Sequence, residues 1–272
     1  MLKNIAVIAS LSLWIFNGAY ADLTLSAPPR EDDTKGKALY NPLADYLSHI
    51  TGEKVVYVHP KGWMDYSKQM RSGAYDIVFD GPHFAAWRIK HLQHEPVARL
   101  PGTLDFVVIT RQDNKKMVNR HSIARGSLCG LASPNLGTVS VLSEFQNSII
   151  SPKVIEVKGG FKKVYQAFKE GQCDAAVLRD NVWKKMVPRE DKKALRVLYK
   201  ISPMPNQTIT VSPRISRDER DAMITALQSS AGANAADNIL QRFSKNAKKF
   251  VRSDATDYTE LSQLLEGVVF GW

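Results

Sequence analysis

The sequence predicts an α/β protein of two lobes, each a mostly parallel sheet flanked by helices, with two extended chain crossings between them. Three observations predict it. Short β-rich apolar runs alternate with segments of helical periodicity, this βαβαβ rhythm occurs twice, and β-branched stretches follow each unit. Strands that alternate with helices favour parallel sheets covered on both faces.

In the first unit, Asp22–Ala27 alternates as a strand. Lys35–Ile50 follows with Ala38, Leu39, Leu43, Tyr46 and Leu47 at helical spacing. Lys54–Val58 is the next strand, Met64–Arg71 a helix and Tyr75–Phe79 a strand. Pro82–His91 then reads as a helix with proline in its first turn. The second unit comprises strand Ser127–Ala132, helix Leu136–Phe145, strand Val154–Val157, helix Phe161–Lys169, strand Cys173–Leu178 and helix Asn181–Val187. Phe106–Thr110 lies between the units; Ala194–Ile201 and Thr208–Val211 follow the second. The chain ends in helical patterns at Arg217–Ser229, Ala235–Phe243 and Thr259–Gly267, the last with Asp254 or Asp257 as its cap. Crossings near 105–111 and 200–211 divide the mature chain into a first lobe of 22–107 plus 206–272 and a second of 108–205. Ligands of open α/β sheets sit at the carboxyl ends of strands, near outward-pointing helix N-termini.

Residues 1–21 read as a signal peptide. Lys3 supplies the positive start, Ile5 to Phe16 is an uncharged apolar run, and Ala19-Tyr20-Ala21 has the small-x-small form of a cleavage site. The run is about a dozen residues, short of the roughly 20 that span a bilayer as a helix. A soluble mature protein starting near Asp22 is expected, located in the periplasm. Cys129 and Cys173 remain after cleavage. An even count in an exported chain favours a disulfide between them, two buried free thiols being the alternative.

Of 272 residues, 44% are hydrophobic and 24% charged, which excludes a disordered chain and a collagen-like repeat, and since only the N-terminal segment is apolar enough to concern a membrane, a multi-span transporter is excluded as well. The net charge is +10 and falls to +9 once Lys3 leaves with the signal. Lysine pairs at 115–116, 184–185, 192–193 and 248–249 are scattered, so they read as solvated faces, and nucleic acid is not an expected partner. A bias toward anionic ligands is the weaker inference from this charge. The chain has no Gly-x-Ser-x-Gly elbow, His-Glu-x-x-His helix, Walker loop or Gly-x-Gly-x-x-Gly after its first strand. No enzymatic activity, metal or cofactor is expected. His91 and His94 read as surface histidines, and Asp76 and Asp174 as structural groups at equivalent points of the two sheets.

Four motifs recur in a familiar order: Pro29-Arg-Glu, Tyr40-Asn-Pro-Leu-Ala-Asp-Tyr-Leu, Tyr75-Asp-Ile-Val-Phe-Asp-Gly-Pro-His-Phe and Ser202-Pro-Met-Pro. Together they resemble the phosphate/phosphite/phosphonate-type periplasmic substrate-binding proteins of ATP-binding-cassette (ABC) transporters, over nearly all of 22–272. The resemblance implies a type II periplasmic-binding fold whose lobes close over a small-molecule ligand. It implies a monomer that delivers this ligand to an ABC permease, with signalling to a membrane sensor protein as the alternative.

The family pattern places a hydroxyl-rich Ser-Thr-Ser-Gly turn at the first helix of the second lobe. Here the stretch is Pro134-Asn-Leu-Gly-Thr-Val-Ser140, so Leu136 and Gly137 replace two hydroxyl positions. Phe161 stands where a histidine is expected, Trp63 keeps the aromatic wall, Leu104 replaces a tyrosine and Gln207 an acid. The expected ligand-binding residues are Trp63, Asp80, His83, Asn135, Gly137, Thr138, Phe161 and Gln207. Arg30, Arg88 or His83 would have to compensate for the lost donors, because an anion buried without partners is very costly. The altered cleft suggests an organic ligand larger or less charged than phosphate, and a cation over Trp63 is the other reading.

Overall fold

A computed structural model describes residues 21–145, 147–244 and 246–266; the expected signal peptide, except Ala21, lies outside the described residues. The elements are β1 (Leu23–Ser26), α1 (Asp33–Thr51), β2 (Val55–Tyr57), α2 (Trp63–Arg71), β3 (Ile77–Asp80), α3 (Pro82–Leu92), β4 (Glu95–Arg99) and β5 (Thr103–Arg111). After a 3-10 turn at Arg120–Arg125 come β6 (Ser127–Leu131), α4 (Leu136–Leu142), a 3-10 turn at Ser148–Ile150, β7 (Lys153–Val157), α5 (Phe161–Lys169) and β8 (Ala175–Arg179). Then follow α6 (Asp180–Lys185), α7 (Arg189–Lys193), β9 (Leu195–Pro205), β10 (Thr208–Val211), α8 (Arg217–Leu227), α9 (Ser230–Ala235), α10 (Asp237–Phe243) and a 3-10 run at Ala255–Leu265.

The strands form two five-stranded sheets, β2-β1-β3-β10-β4 and β7-β6-β8-β5-β9. In the first, β10 is antiparallel to both of its neighbours while β1, β2 and β3 are parallel. In the second, β5 alone opposes its neighbours β8 and β9. Each sheet thus has a single strand running against the rest, and the two-lobed, mostly parallel architecture is the observed one. The chain passes between the sheets at 100–102 and again at 206–207, where β4 leads to β5 and β9 to β10. Residues 105–111, expected as a crossing, pair with β8 and β9 inside the second sheet, so the expected boundary between 107 and 108 falls within β5.

The first core forms because α1 presents Leu39, Leu43 and Leu47 on one stripe, at i, i+4 and i+8, to Leu25, Ile77, Ile209 and Val211. Asp32 caps the helix by accepting from the Lys35 amide at 2.9 Å, and Gly52, at φ 72°, ends it. Pro42 lies inside this helix and has no amide for the Ala38 carbonyl. The Asn238 side chain supplies the missing donor at 2.9 Å. In the second lobe, α5 buries Val164 and Phe168 against Val107, Ile109 and Leu178.

Cys129 and Cys173 are joined by a disulfide, with their Cα atoms 5.7 Å apart. It ties β6 to the turn before β8, two adjacent strands of one sheet. Two expectations at the end of the chain are corrected. The helix expected at Ala235–Phe243 is α10, which starts two residues later at Asp237 and is preceded by the short helix α9, and that expected at Thr259–Gly267 is a 3-10 run starting at Ala255, with Gly267 outside the described residues. Asp254 caps this run through the Thr256 amide. The run packs on α3 and places Leu265 with Tyr66 and Trp87 of the first lobe, while Leu264 enters the core of the second. The edge strand β4 was not anticipated, because Pro96 breaks its pattern; a proline is tolerated there since β4 has only one neighbour.

Candidate functional site

The cavity between the two sheets has a volume of about 740 Å³. Its floor is made where strands of both sheets end, because there the chain turns outward into helices. From the first lobe come Arg30 after β1, Trp63 at the start of α2, and Gly81, His83 and Phe84 at the start of α3. From the second come Asn135 before α4, Gly159, Gly160 and Phe161 at the start of α5, and Arg179 at the end of β8. Gly159 and Gly160 have φ of 92° and 91°, a left-handed pair that lets the chain turn sharply from β7 into α5.

The walls divide by chemistry. Trp63 stacks nearly parallel on Phe84, with ring centroids 6.2 Å apart and planes 20° apart. Phe161 meets Phe106 at 5.9 Å, and the Arg179 guanidinium lies 5.3 Å above the Phe106 ring. Arg30, Lys158, Arg179 and Arg242 supply positive charge, and no carboxylate lines the cavity among the described residues. Arg242 is paired with Glu31 at 2.7 Å. By contrast, Arg30 Nη1 and Arg179 Nε are buried without a hydrogen-bond partner among the described residues, as is Gln207 Oε1. Burial pushes the Arg179 guanidinium below its ordinary pKa, against the pull of Asp105. Arg30 and Arg179 both line the cavity, each with a guanidinium nitrogen whose hydrogen-bonding capacity is unused among the described residues.

His83 bridges the lobes. Its Nε2–H donates to the Pro134 carbonyl at 2.9 Å, within the turn before α4. That fixes the tautomer and leaves Nδ1 as an unshared acceptor, buried and without a partner among the described residues. Burial pushes the imidazole pKa down to about 3, so the ring is neutral at ordinary pH.

The expected site residues are not all brought together. Trp63, His83, Asn135, Phe161 and Gln207 line the cavity; Asp80, Gly137 and Thr138 do not. Asp80 lies under the start of α3, accepting from Tyr66 Oη at 2.7 Å and from Arg88 Nε at 3.2 Å, with both ionic side chains fully buried. Burial pushes the Asp80 carboxyl up while the Arg88 guanidinium opposes it. Arg88 is therefore committed to this pair and not to the cleft. The Thr138 hydroxyl turns back to the Leu131 carbonyl at 2.7 Å. Gly137 packs against Phe106, where a Cβ would approach the ring to 2.7 Å. Asn135 Oδ1 accepts from the Gly137 amide at 3.1 Å, so it also caps α4.

Arg179, Arg242 and Lys158 were not anticipated. The usable signal was position: Arg179 closes a buried strand and Lys158-Gly-Gly opens a helix, both at carboxyl ends of parallel strands. Among the described residues, no group of three His, Cys, Asp or Glu side chains could hold a metal ion. His94, expected at the surface, is buried, with Nδ1 3.2 Å from the Thr210 hydroxyl.

Comparison with known proteins agrees with this geometry. Phosphate-import protein PhnD of Mycolicibacterium smegmatis is 25% identical over 191 residues, covering 63% of this chain and 59% of that protein. The alignment thus spans less than two thirds of that relative's length. PhnD1 from Prochlorococcus marinus in complex with methylphosphonate has a TM-score of 0.62 at 13% identity, covering 89% of this chain and 96% of its own. A Xanthomonas citri protein bound to ATP has a TM-score of 0.67 at 15% identity, covering 90% and 96%. At these identities the likeness is one of fold. Residues 25–258 match the family described as ABC transporter, phosphonate, periplasmic substrate-binding protein, and the chain belongs to that family.

Proposed function

We propose that this chain is a periplasmic solute receptor that captures a small anionic ligand between its lobes and delivers it to an ABC permease. The observation that carries the reading is the cavity wall. Guanidinium side chains from both lobes, Arg30 and Arg179, line one space that no carboxylate lines among the described residues. An anion touching both lobes gains most of its contacts only when they meet, so its binding shifts the population toward the closed form. The same electrostatics disfavour the reading of a cation over Trp63.

The Prochlorococcus relative in complex with methylphosphonate supports a phosphonate or phosphate group as the anion. The mature receptor begins near Asp22 after signal cleavage, acts as a monomer and releases its ligand chemically unchanged.

Titration calorimetry with phosphate and methylphosphonate, paired with small-angle scattering, tests the reading. Binding accompanied by a smaller radius of gyration supports it. Tight binding without compaction, or no binding of either anion or of any organic phosphonate, overturns it. Mass spectrometry of the exported protein checks the start at Asp22.

A further inference from the structure

The size and lining of the cleft say more about the ligand than its charge alone. A phosphate or methylphosphonate ion has five heavy atoms. At roughly 30 Å³ for each water-sized group, it fills on the order of 150 Å³. The cavity holds about 740 Å³, although His83 already touches Pro134 across the lobes. That volume is in the range of sites for drug-sized organic molecules. Beside its charged and polar groups, the wall has a large apolar share. Trp63, Phe84, Phe106, Phe161, Leu104 and Leu136 form much of it, and each presents carbon.

The Trp63 ring has one face on Phe84 and is 40% exposed, the largest such exposure of any tryptophan among the described residues. An indole in this setting has a free flat face beside a charged subsite. Phe161 approaches the same space from the other lobe, so a planar group would meet aromatic surface on both sides when the lobes close. Gly160 adds no side chain here, and a Cβ built on it would touch nothing within 4 Å, so the mouth beside Phe161 is open.

Resting on the receptor reading above, we propose that the ligand is an organic phosphate or phosphonate carrying a planar aromatic ring. Arg30 and Arg179 take the anionic end and Trp63 and Phe161 take the ring. This assignment explains why the hydroxyl-rich turn is absent. The Thr138 hydroxyl is spent on Leu131, Leu136 adds apolar wall, and guanidinium groups replace hydroxyl donors with charged, forked ones that suit phosphoryl oxygens.

Competition-free calorimetry on the full mature chain tests it with methylphosphonate, phenylphosphonate and benzyl alcohol. Phenylphosphonate is expected to bind at least tenfold more tightly than methylphosphonate, and benzyl alcohol not to bind measurably. Trp63→Leu is expected to bring the phenyl-to-methyl ratio to within threefold, and Phe161→Leu to lower it as well. Retention of the wild-type thermal midpoint checks that each variant folds; a variant that does not is replaced by Trp63→Phe, for which an intermediate ratio is expected. Methylphosphonate binding as tightly as phenylphosphonate, or more tightly, overturns the aromatic assignment and leaves the receptor reading standing. Failure of every anion to bind overturns both. A ratio unchanged in Trp63→Leu also overturns the assignment.

Discussion

Asp76 and Asp174 make the same contacts in the two sheets. Each directly precedes a central parallel strand, β3 or β8. The Asp76 carboxylate accepts from the amide and the hydroxyl of Thr24, both at 2.9 Å. The Asp174 carboxylate accepts from the amide and the hydroxyl of Ser127, both at 2.8 Å. In return, the amide of each aspartate donates to the carbonyl of its partner at 3.1 Å. A charged acceptor of this kind fixes where two neighbouring parallel strands begin, and so where their carboxyl ends deliver side chains to the cleft.

Asp174→Asn is therefore expected to destabilise the protein by about 1–3 kcal/mol, because one oxygen that receives two hydrogen bonds becomes a neutral amide group. Asp76→Asn is expected to cost more, since Asp76 also receives Arg214 Nη1 at 3.1 Å and the Ser212 hydroxyl at 3.2 Å. The Ser127 amide holds the Asp174 carboxyl below its usual range, so its contribution is present above the ordinary carboxylate pKa and lost as pH falls through the lowered one. Denaturant midpoints of the two variants at neutral pH check the order; equal and negligible losses would remove the strand-start role.

Two buried histidines make the fold sensitive to mild acid. Burial pushes both His83 and His94 down to about 3 in the folded state, against about 6.5 in an unfolded chain. Between these values the unfolded chain binds protons that the folded one does not, so stability falls as pH is lowered from about 6.5 toward 3. Each histidine contributes a slope of up to about 1.4 kcal/mol per pH unit in that window. Urea midpoints measured from pH 7 to pH 5 are expected to drop, and less so in His94→Gln. An identical slope in that variant would show that the acid sensitivity lies elsewhere.

The disulfide closes a separation of 44 residues between β6 and the turn before β8. In the chain-entropy account such a loop contributes up to about 4 kcal/mol, through restriction of the unfolded chain. The double replacement Cys129→Ala/Cys173→Ala is expected to lose a comparable amount while keeping ligand affinity within about threefold, because neither sulfur lines the cleft. Equilibrium unfolding and calorimetry on the same variant separate the two outcomes.

What the sequence made legible follows from which physical signals are local. The paired βαβαβ units, the α1 stripe of Leu39, Leu43 and Leu47, and the start of α3 at Pro82 all rest on periodicity and capping within a few residues. Strand β4 escaped because its five residues hold a proline and two charges, and what makes it a strand is its pairing with β10 over a hundred residues away. The site was legible by position and not by orientation. The turns after strands marked Trp63 and His83, and the family resemblance marked Phe161; all three line the cavity. The same reasoning included Thr138, whose hydroxyl instead satisfies a carbonyl of its own turn. Asp80 was expected among the ligand-binding residues, yet Arg88 two turns along α3 draws it into a buried pair.

Arg179 joins stability to binding in opposite senses. Its guanidinium is largely buried over Phe106 with Nε unpaired among the described residues, and burial lowers its pKa. An ionised group held in this way costs the ligand-free fold some of its solvation, a cost offset when an anion supplies the missing acceptor. Arg179→Met keeps the length and the apolar contact with Phe106 while removing the charge. It is expected to raise the thermal midpoint of the ligand-free protein, by the equivalent of about 1 kcal/mol, and to weaken anion binding at least tenfold. Arg111→Met serves as the contrast: that guanidinium also lies over a ring, Phe168, but it donates to the Phe168 and Cys173 carbonyls away from the cleft. Its loss is expected to lower the midpoint, because those carbonyls lose their donor. Scanning calorimetry of both variants with and without methylphosphonate reads the signs directly. An Arg179→Met protein that is destabilised and binds as wild type would assign that side chain to packing rather than to the ligand.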